Sequence, residues 1–138
     1  MIRTGNRSSY TNYDTMIEII PIAKIAEDER GATHYFDTDR TGQFIISYRK
    51  AGSVSARHYH KGVSKNKDPE KVILMNGEAT VNWYDINGDA KGSSKLTAPS
   101  MLIVHTWTWH EVTADTDIVV FELNALAAGK KDAFRTEK

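Results

Sequence analysis

The sequence has 138 residues, of which 18 are Lys or Arg and 18 are Asp or Glu, so its formal net charge is zero. A chain of this length forms one domain, and its balanced charge argues against nucleic acid or an anionic membrane as a partner. Without cysteine, it has neither disulfides nor thiolate metal sites. A small ligand or a protein partner remains open. A cytoplasmic location is our default expectation, because no apolar run has the length of a signal peptide or a membrane span.

The chain divides into three predicted segments. Residues 1–14 are expected to form a flexible N-terminal tail, residues 15–127 the folded domain, and residues 128–138 a charged C-terminal tail. Short apolar blocks separated by turn residues favour strands over helices. In chain order, the predicted strands are 16–20, 33–36, 43–48, 54–60, 71–75, 79–84, 102–107 and 118–123. Two short helices are predicted at 22–28 and 125–128, and about eight strands are typical of an all-β sandwich or barrel.

Two Asn-Gly pairs predict tight turns in this all-β domain. Asn76-Gly77 lies between two apolar runs, and Asn87-Gly88 follows shortly after Tyr84. Asn-Gly readily adopts the positive φ angles that a tight antiparallel hairpin requires. We therefore predict a hairpin at each pair.

Several predicted strands are apolar on both faces, including residues 44–46, 72–75, 101–104 and 118–121. Side chains alternate across a strand, so a sheet with one solvated face would show a polar residue at every second position. Another surface must cover the outer face. A homodimer packed sheet against sheet is the economical hypothesis, and the chain's own terminal segments are the alternative.

A candidate metal site begins at His58 and His60. Two residues apart on one strand, these side chains point to the same face and can converge on one ion. Glu70 opens the next predicted strand and offers a carboxylate, and His110 is available as a fourth ligand. Three imidazoles and one carboxylate suit a divalent Fe, Zn, Ni or Mn ion and leave coordination positions open. The alternative is that these are surface residues at a strand end.

The spacing around these residues resembles the first motif of the cupin superfamily. That motif has a glycine, five residues, His-x-His, three or four residues, a glutamate, six residues and a glycine. Gly52, His58, His60, Glu70 and Gly77 reproduce it, except that nine residues separate His60 from Glu70. Residues 61–69 are therefore interpreted as a lengthened loop. The resemblance covers about residues 52–124 and implies a single RmlC-like cupin barrel, of the jelly-roll type, with short helical pieces at the termini.

The second cupin motif matches less well. His110 takes the place of its histidine, but His105 stands where proline is usual, Trp107 where glycine is usual, and Ala114 where asparagine is usual. His105 and His110 are an odd number of residues apart, so both can face inward only if a turn intervenes. Since Trp107 and Trp109 share its parity, His105 is interpreted as a packing or hydrogen-bonding residue of an aromatic patch. The alternative is that it transfers a proton beside indole rings that stack on a sugar.

Within the cupins, the sequence most resembles the nucleotide-sugar epimerases and ketoisomerases. Similar stretches run over residues 28–31, 57–61 and 109–111, although Ser55 stands where those families have an arginine. The candidate substrate-binding residues are Arg57, Tyr48, Trp107 and Lys61. Basic residues at the barrel mouth can hold a phosphate or carboxylate, and an indole can stack on a sugar. A solvated basic loop is the alternative interpretation of the lysines.

The resemblance implies an isomerase or epimerase that moves a proton next to a carbonyl in a sugar or sugar derivative. Glu70 and His110 are the candidate catalytic residues, in addition to their expected role as metal ligands with His58 and His60. Two alternatives stay open. The same ligands suit an iron-dependent dioxygenase, and the altered second motif favours a noncatalytic cupin that binds a small molecule.

Overall fold

The computed structural model describes residues 11–12, 16–123 and 132–136. This part of the chain contains twelve strands and one short 3-10 helix. In chain order they are β1 (Thr11–Asn12), β2 (Ile17–Pro21), β3 (Lys24–Asp28), β4 (Gly31–His34), β5 (Ile45–Arg49), β6 (Val54–His58), the 3-10 helix (Lys65–Lys67), β7 (Glu70–Asn76), β8 (Glu78–Asp85), β9 (Lys91–Thr97), β10 (Ser100–Val104), β11 (Thr108–Ala114) and β12 (Ile118–Glu122).

Two antiparallel sheets pack face to face and form the barrel. The six-stranded sheet has the order β1-β2-β10-β7-β12-β5, and the four-stranded sheet has the order β6-β11-β8-β9. Apolar side chains from both inner faces fill the space between them, as the alternation of a strand requires. The buried core residues are Ile17, Leu74, Ala79, Val81, Trp83, Leu96, Leu102, Val104, Ala114 and Ile118. The all-β prediction is confirmed.

The helix predicted at residues 22–28 is wrong, because this segment belongs to a two-stranded hairpin of β3 and β4. Lys24 to Asp28 are all exposed, so no apolar face is buried that could hold a helix against the barrel. Pairing with β4 instead satisfies the main-chain groups. The second predicted helix, at residues 125–128, lies outside the described residues. No helix in the described ranges is long and apolar enough to cross a membrane.

The two Asn-Gly pairs have different roles. Asn87-Gly88 does lie in a hairpin, since β8 and β9 pair up to Tyr84 and Lys91 on either side of the turn. Asn76-Gly77 does not, because β7 and β8 belong to different sheets. Gly77 has a φ of +88°, and a Cβ atom there would lie 2.3 Å from the main-chain oxygen of Asp117. The glycine is needed to turn the chain from one sheet to the other at a crowded corner.

The outer face of the six-stranded sheet is apolar, as the sequence predicts. Ile73, Met101, Ile103 and Leu123 form a second buried cluster. At the β5 side of the same face the apolar residues are uncovered within the described chain: Ile46, Tyr48 and Met75 are 55%, 73% and 50% exposed.

Candidate functional site

Four side chains predicted as metal ligands meet inside the barrel. One ligand atom from each of His58, His60, Glu70 and His110 lies within 4.8 Å of the others. We call these four residues the histidine–glutamate cluster. His58 ends β6, His60 follows two residues later, Glu70 begins β7, and His110 lies in β11. The two sheets therefore face each other across the cluster, and each supplies part of it.

A β-bulge aims His58 into the barrel. Ala56 and Arg57 both have positive φ angles, 71° and 63°. The pairing of β6 with β11 shifts by one residue at this point, between His110 opposite His58 and Glu111 opposite Ala56. The extra residue is Arg57, whose side chain points outward and lies 3.4 Å from Glu111. Strained backbone of this kind persists only where the surrounding structure holds it, and it is enriched beside functional sites.

Main-chain carbonyl groups orient two of the histidine rings. Nδ1 of His60 donates to the carbonyl oxygen of Asp132, and Nδ1 of His110 donates to that of Thr108 at 3.1 Å. Their Nε2 atoms therefore point to the same carboxylate oxygen, Oε1 of Glu70, at 2.8 Å and 3.1 Å. A carbonyl on Nδ1 that leaves Nε2 aimed at a shared point is the arrangement that orients imidazole ligands in metal sites.

Asp132 also fixes the lengthened loop beside the cluster. Its buried carboxylate accepts hydrogen bonds from the main-chain nitrogens of Lys61, Gly62 and Ser64, at 2.7, 3.0 and 3.1 Å. Phe134 extends the contact, because it forms an antiparallel bridge with Tyr59. The segment 132–136 therefore packs against the end of β6 and holds His60 in place.

Glu70 has a second partner in Lys67, which lies in the lengthened loop. The buried Nζ of Lys67 lies 3.2 Å from Oε2 of Glu70. Burial by itself raises the pKa of Glu70, but hydrogen bonds from His110 and His60 outweigh it and hold this pKa well below its ordinary value. Glu70 is therefore ionised at neutral pH. The buried ammonium group of Lys67 balances its charge.

The histidines differ in their protonation. Burial lowers the pKa of His58 to about 3, with further lowering from His110, so its ring is neutral at physiological pH. Burial also opposes protonation of His60, yet its hydrogen bond to Glu70 raises its pKa on balance. A neutral imidazole is the form that binds a metal, so His58 is ready to do so without losing a proton.

A cavity of about 240 Å³ opens onto the cluster. Three cluster members, His58, Glu70 and His110, reach its surface, while His60 lies behind them. Four of the other lining residues are polar: Ser47, Arg49, Ser55 and Glu122. The rest are apolar: Ala56, Val72, Leu102, Val112, Ile118 and Val120. The cavity combines an apolar body with a few polar groups, as small-molecule sites do.

The donor set fits a divalent metal ion. Three imidazoles and a carboxylate converge, two of the rings are oriented through Nδ1, and the third is neutral. Iron, zinc, nickel and manganese all accept such ligands. Lys67 engages the other carboxylate oxygen, Oε2, so Oε1 remains directed at the histidines.

The four predicted substrate-binding residues do not line this cavity. Tyr48 alternates with the lining residues Ser47 and Arg49 and points to the outer face, where it is 73% exposed. Arg57 points outward from the bulge. Lys61 lies over the rings of Phe134 and Trp107, at 4.2 and 5.5 Å from their centroids. A role for these residues in substrate binding stays a prediction.

The altered second motif keeps the geometry of a turn. Trp107 stands where the cupin motif has glycine, and its φ of 62° lies in the left-handed region that glycine favours. Its main-chain nitrogen donates to the carbonyl oxygen of His60 at 2.7 Å. The turn allows His110 to face the cluster while His105 faces elsewhere. His105 lies 2.7 Å from Glu18, so its interpretation as a hydrogen-bonding residue is confirmed.

Sequence reasoning missed three polar residues of the site: Arg49, Glu122 and Asp132. Lys67 was expected only as one of the basic residues of the lengthened loop, and the structure pairs it with Glu70. Glu122 carried a usable signal, because it is an acid inside the apolar block 118–123. Arg49 carried none in its own strand, but Nε of Arg49 donates to Ser55 Oγ at 3.1 Å. Strand β5, in the other sheet, thus places a guanidinium group beside Ser55, the position where the resemblance leads one to expect an arginine.

Comparison with solved structures identifies the fold. Crystal structures of QdtA, a sugar 3,4-ketoisomerase from Thermoanaerobacterium thermosaccharolyticum in complex with TDP, and of a 3,4-ketoisomerase from Helicobacter canadensis have TM-scores of 0.70 and 0.68. They are 17% and 18% identical, and the alignments cover 91% of this chain and 91% and 92% of theirs. A dTDP-4-dehydrorhamnose 3,5-epimerase from Sulfolobus tokodaii has a TM-score of 0.64 at 17% identity, covering 83% of this chain and 72% of its own.

The class that the barrel and these likenesses define is the RmlC-like cupin fold. No family model matches the sequence. No curated protein matches it either.

Proposed function

We propose that this protein is an isomerase or epimerase that moves a proton next to a carbonyl group in a sugar or sugar derivative. The observation that carries the proposal is the histidine–glutamate cluster at the inner end of a mostly apolar cavity. Similar folds in enzymes named as ketoisomerases and epimerases of TDP-linked sugars support the substrate class. Fold likeness alone does not assign an activity, so the cavity's chemistry must carry the argument.

We propose that the cluster holds a divalent metal ion. His58, His60, Glu70 and His110 would be its ligands. When bound, such an ion polarises a hydroxyl or carbonyl oxygen and so lowers the cost of negative charge on that oxygen. Lys67 and the carbonyl oxygens on the Nδ1 atoms keep the ligands in place before any substrate arrives.

The cavity's other residues would bind and orient the substrate. The apolar side chains Val72, Leu102, Val112, Ile118 and Val120 exclude water from the reacting carbon. Polar groups interrupt this lining at only a few places, which restricts the orientations that a ligand with several hydroxyl groups can adopt.

Exchange with solvent tests the activity. The protein, reconstituted separately with iron, zinc, nickel and manganese, is incubated in D₂O with TDP-4-keto-6-deoxyglucose and with aldose and ketose phosphates. Proton NMR then follows deuterium incorporation next to the carbonyl. We expect incorporation with at least one substrate and one metal, and none with His110→Ala. Absence of exchange with every combination contradicts the proposed activity.

An iron-dependent dioxygenase is the second candidate, and the donor set of three histidines and one carboxylate favours it. Consumption of dioxygen discriminates between the two. Isomerisation proceeds at the same rate without oxygen, whereas oxygenation stops. A protein that binds metal and sugar but shows neither reaction is the noncatalytic cupin.

We also propose a homodimer in which a second copy covers the exposed apolar residues Ile46, Tyr48 and Met75. These lie on the outer face beside the buried cluster of Ile73 and Met101. We expect light scattering to give twice the chain mass of 15.5 kDa. Ile46→Glu should halve this value, whereas Ile25→Glu, on the exposed hairpin, should not. A wild-type monomer contradicts the dimer.

A further inference from the structure

The cavity contains a second carboxylate besides Glu70. Glu122 is the last residue of β12, and it lines the same cavity as His58, Glu70 and His110. In the pairing of β12 with β7, Glu122 lies opposite Val72, two residues from Glu70. Because side chains alternate, Glu70, Val72 and Glu122 all face the interior. The two carboxylates therefore occupy neighbouring positions on one wall.

The two carboxylates differ in how many partners they have. Glu70 has hydrogen bonds or ion pairs with His60, His110 and Lys67. The Glu122 carboxylate makes no hydrogen bond or ion pair with any residue in the described ranges. An acceptor left free beside a cavity is available to a ligand, whereas one already held by three donors is not.

The surroundings of Glu122 suit proton transfer. Burial raises its pKa, and the negative charge of Glu70 raises it further. Lys67, Arg49 and His60 act in the opposite direction but do not cancel the effect. A carboxylate with a raised pKa is a stronger base than an exposed one, and Glu122 faces the cavity without a partner among the described residues.

We propose that Glu122 contacts the substrate and is the proton carrier of this cavity, a role that rests on the proposed isomerase or epimerase function. Its carboxylate removes the hydrogen on the carbon next to the substrate's carbonyl as a proton. The electron pair of the broken C–H bond forms a C=C bond, and the carbonyl oxygen takes up the displaced pair. For isomerisation, the proton of the hydroxyl group on the deprotonated carbon then passes to the first oxygen, and that hydroxyl oxygen becomes the new carbonyl. Glu122 gives its proton to the former carbonyl carbon as the C=C bond is lost. No oxidant or reductant is needed.

This assignment separates metal binding from proton transfer, whereas the sequence analysis predicted both tasks for Glu70 and His110. Both are committed to the histidine–glutamate cluster, Glu70 by its three partners and His110 through Nδ1 and Nε2. A group tied in this way orients and stabilises charge well, but it moves a proton only by breaking its contacts. Among the residues that the structure describes, Glu122 has no such contact to break.

The experiment compares Glu122→Gln, Glu122→Ala and Glu70→Gln with the wild type in the deuterium-exchange assay. Glu78→Gln, on the exposed end of β8, is the matched control for loss of a carboxylate. We expect Glu122→Gln to lower kcat about 100-fold or more with KM changed less than about threefold. It should keep the wild-type metal content and melting temperature, whereas Glu70→Gln should lose metal. Added formate should restore at least about a tenth of the lost rate to Glu122→Ala, but it should not restore any rate to a further variant, Glu70→Ala.

The outcomes distinguish this proposal from the proposed function. Suppose that the wild type incorporates deuterium, and that Glu122→Gln keeps kcat within threefold of the wild type or changes only KM. Glu122 is then not the proton carrier, and the isomerase assignment stands. Failure of formate to restore any rate to Glu122→Ala also overturns the role. If the wild type incorporates deuterium into none of the tested substrates, the proposed function fails, and the proton-carrier role fails with it.

Discussion

The two ends of the cavity differ in how their polar groups are satisfied. At the inner end, His60, Glu70, His110 and Lys67 hold one another at 2.8 to 3.2 Å. Along the wall of β5 and β12, by contrast, Glu122 has no side-chain partner among the described residues. The inner end of the cavity is therefore organised before a ligand arrives, while the wall that holds Glu122 keeps a carboxylate available for hydrogen bonds to the ligand.

Removing the carboxylate of Glu70 should break the organised end most severely. In Glu70→Gln the buried Lys67 loses its counter-charge, and we expect a loss of stability of about 3 to 5 kcal/mol. Metal content should fall more than about tenfold. Urea denaturation and elemental analysis measure the two effects. Compared with Glu70→Gln alone, the double variant that also carries Lys67→Met should regain part of the stability but none of the metal. Recovery of both would contradict our account.

Releasing the segment that supports His60 should have the next largest effect. Asp132→Ala leaves three main-chain nitrogens of the lengthened loop without their acceptor, and we expect a cost of about 3 kcal/mol. Urea unfolding of the metal-free protein measures it. Asp89→Ala, in the exposed turn after β8, is the control and should change stability by less than about 0.5 kcal/mol. An equally small loss of stability in the two variants would show that Asp132 does not stabilise the lengthened loop.

Acid should weaken the metal-free protein through His58. Burial lowers the pKa of His58 in the folded protein to about 3, below its ordinary value of 6.5, so the unfolded chain binds a proton in this range and the folded one does not. Stability therefore falls as the pH drops from about 6.5 towards 3, by at most about 1.4 kcal/mol per pH unit from this group. The pH dependence of urea midpoints measures it, and His58→Asn should flatten the slope. An unchanged slope in that variant contradicts the assignment.

The smallest effect is expected at the bulge. Arg57→Gly removes an unfavourable positive φ, worth about 1 kcal/mol, and also removes an exposed ion pair with Glu111, worth about 0 to 1 kcal/mol. Their opposition predicts a stability change below about 1 kcal/mol and an unchanged metal content. A rise in KM without loss of stability would support the predicted role of Arg57 in substrate binding.

Much of the inner end was predictable because the signal is local. His58 and His60 share a face through the two-residue period of a strand, and Glu70 was expected at the start of the next strand. Strands β9 and β11 were missed. In β9, Leu96 is the only buried residue, so its sequence lacks an apolar block. The helix predicted at 22–28 was wrong for a different reason. Its composition favours a helix, but pairing with β4 makes it a strand.

The all-β class and the residue types of the histidine–glutamate cluster were predictable from the sequence, because alternation and motif spacing act over a few residues. Three relations were visible only in the folded chain: Gly77 turns the chain between two sheets, Asp132 holds His60, and Glu122 shares a wall with Glu70. These relations join residues up to 72 positions apart. They depend on which strands pair and which faces meet, and no local pattern encodes that choice.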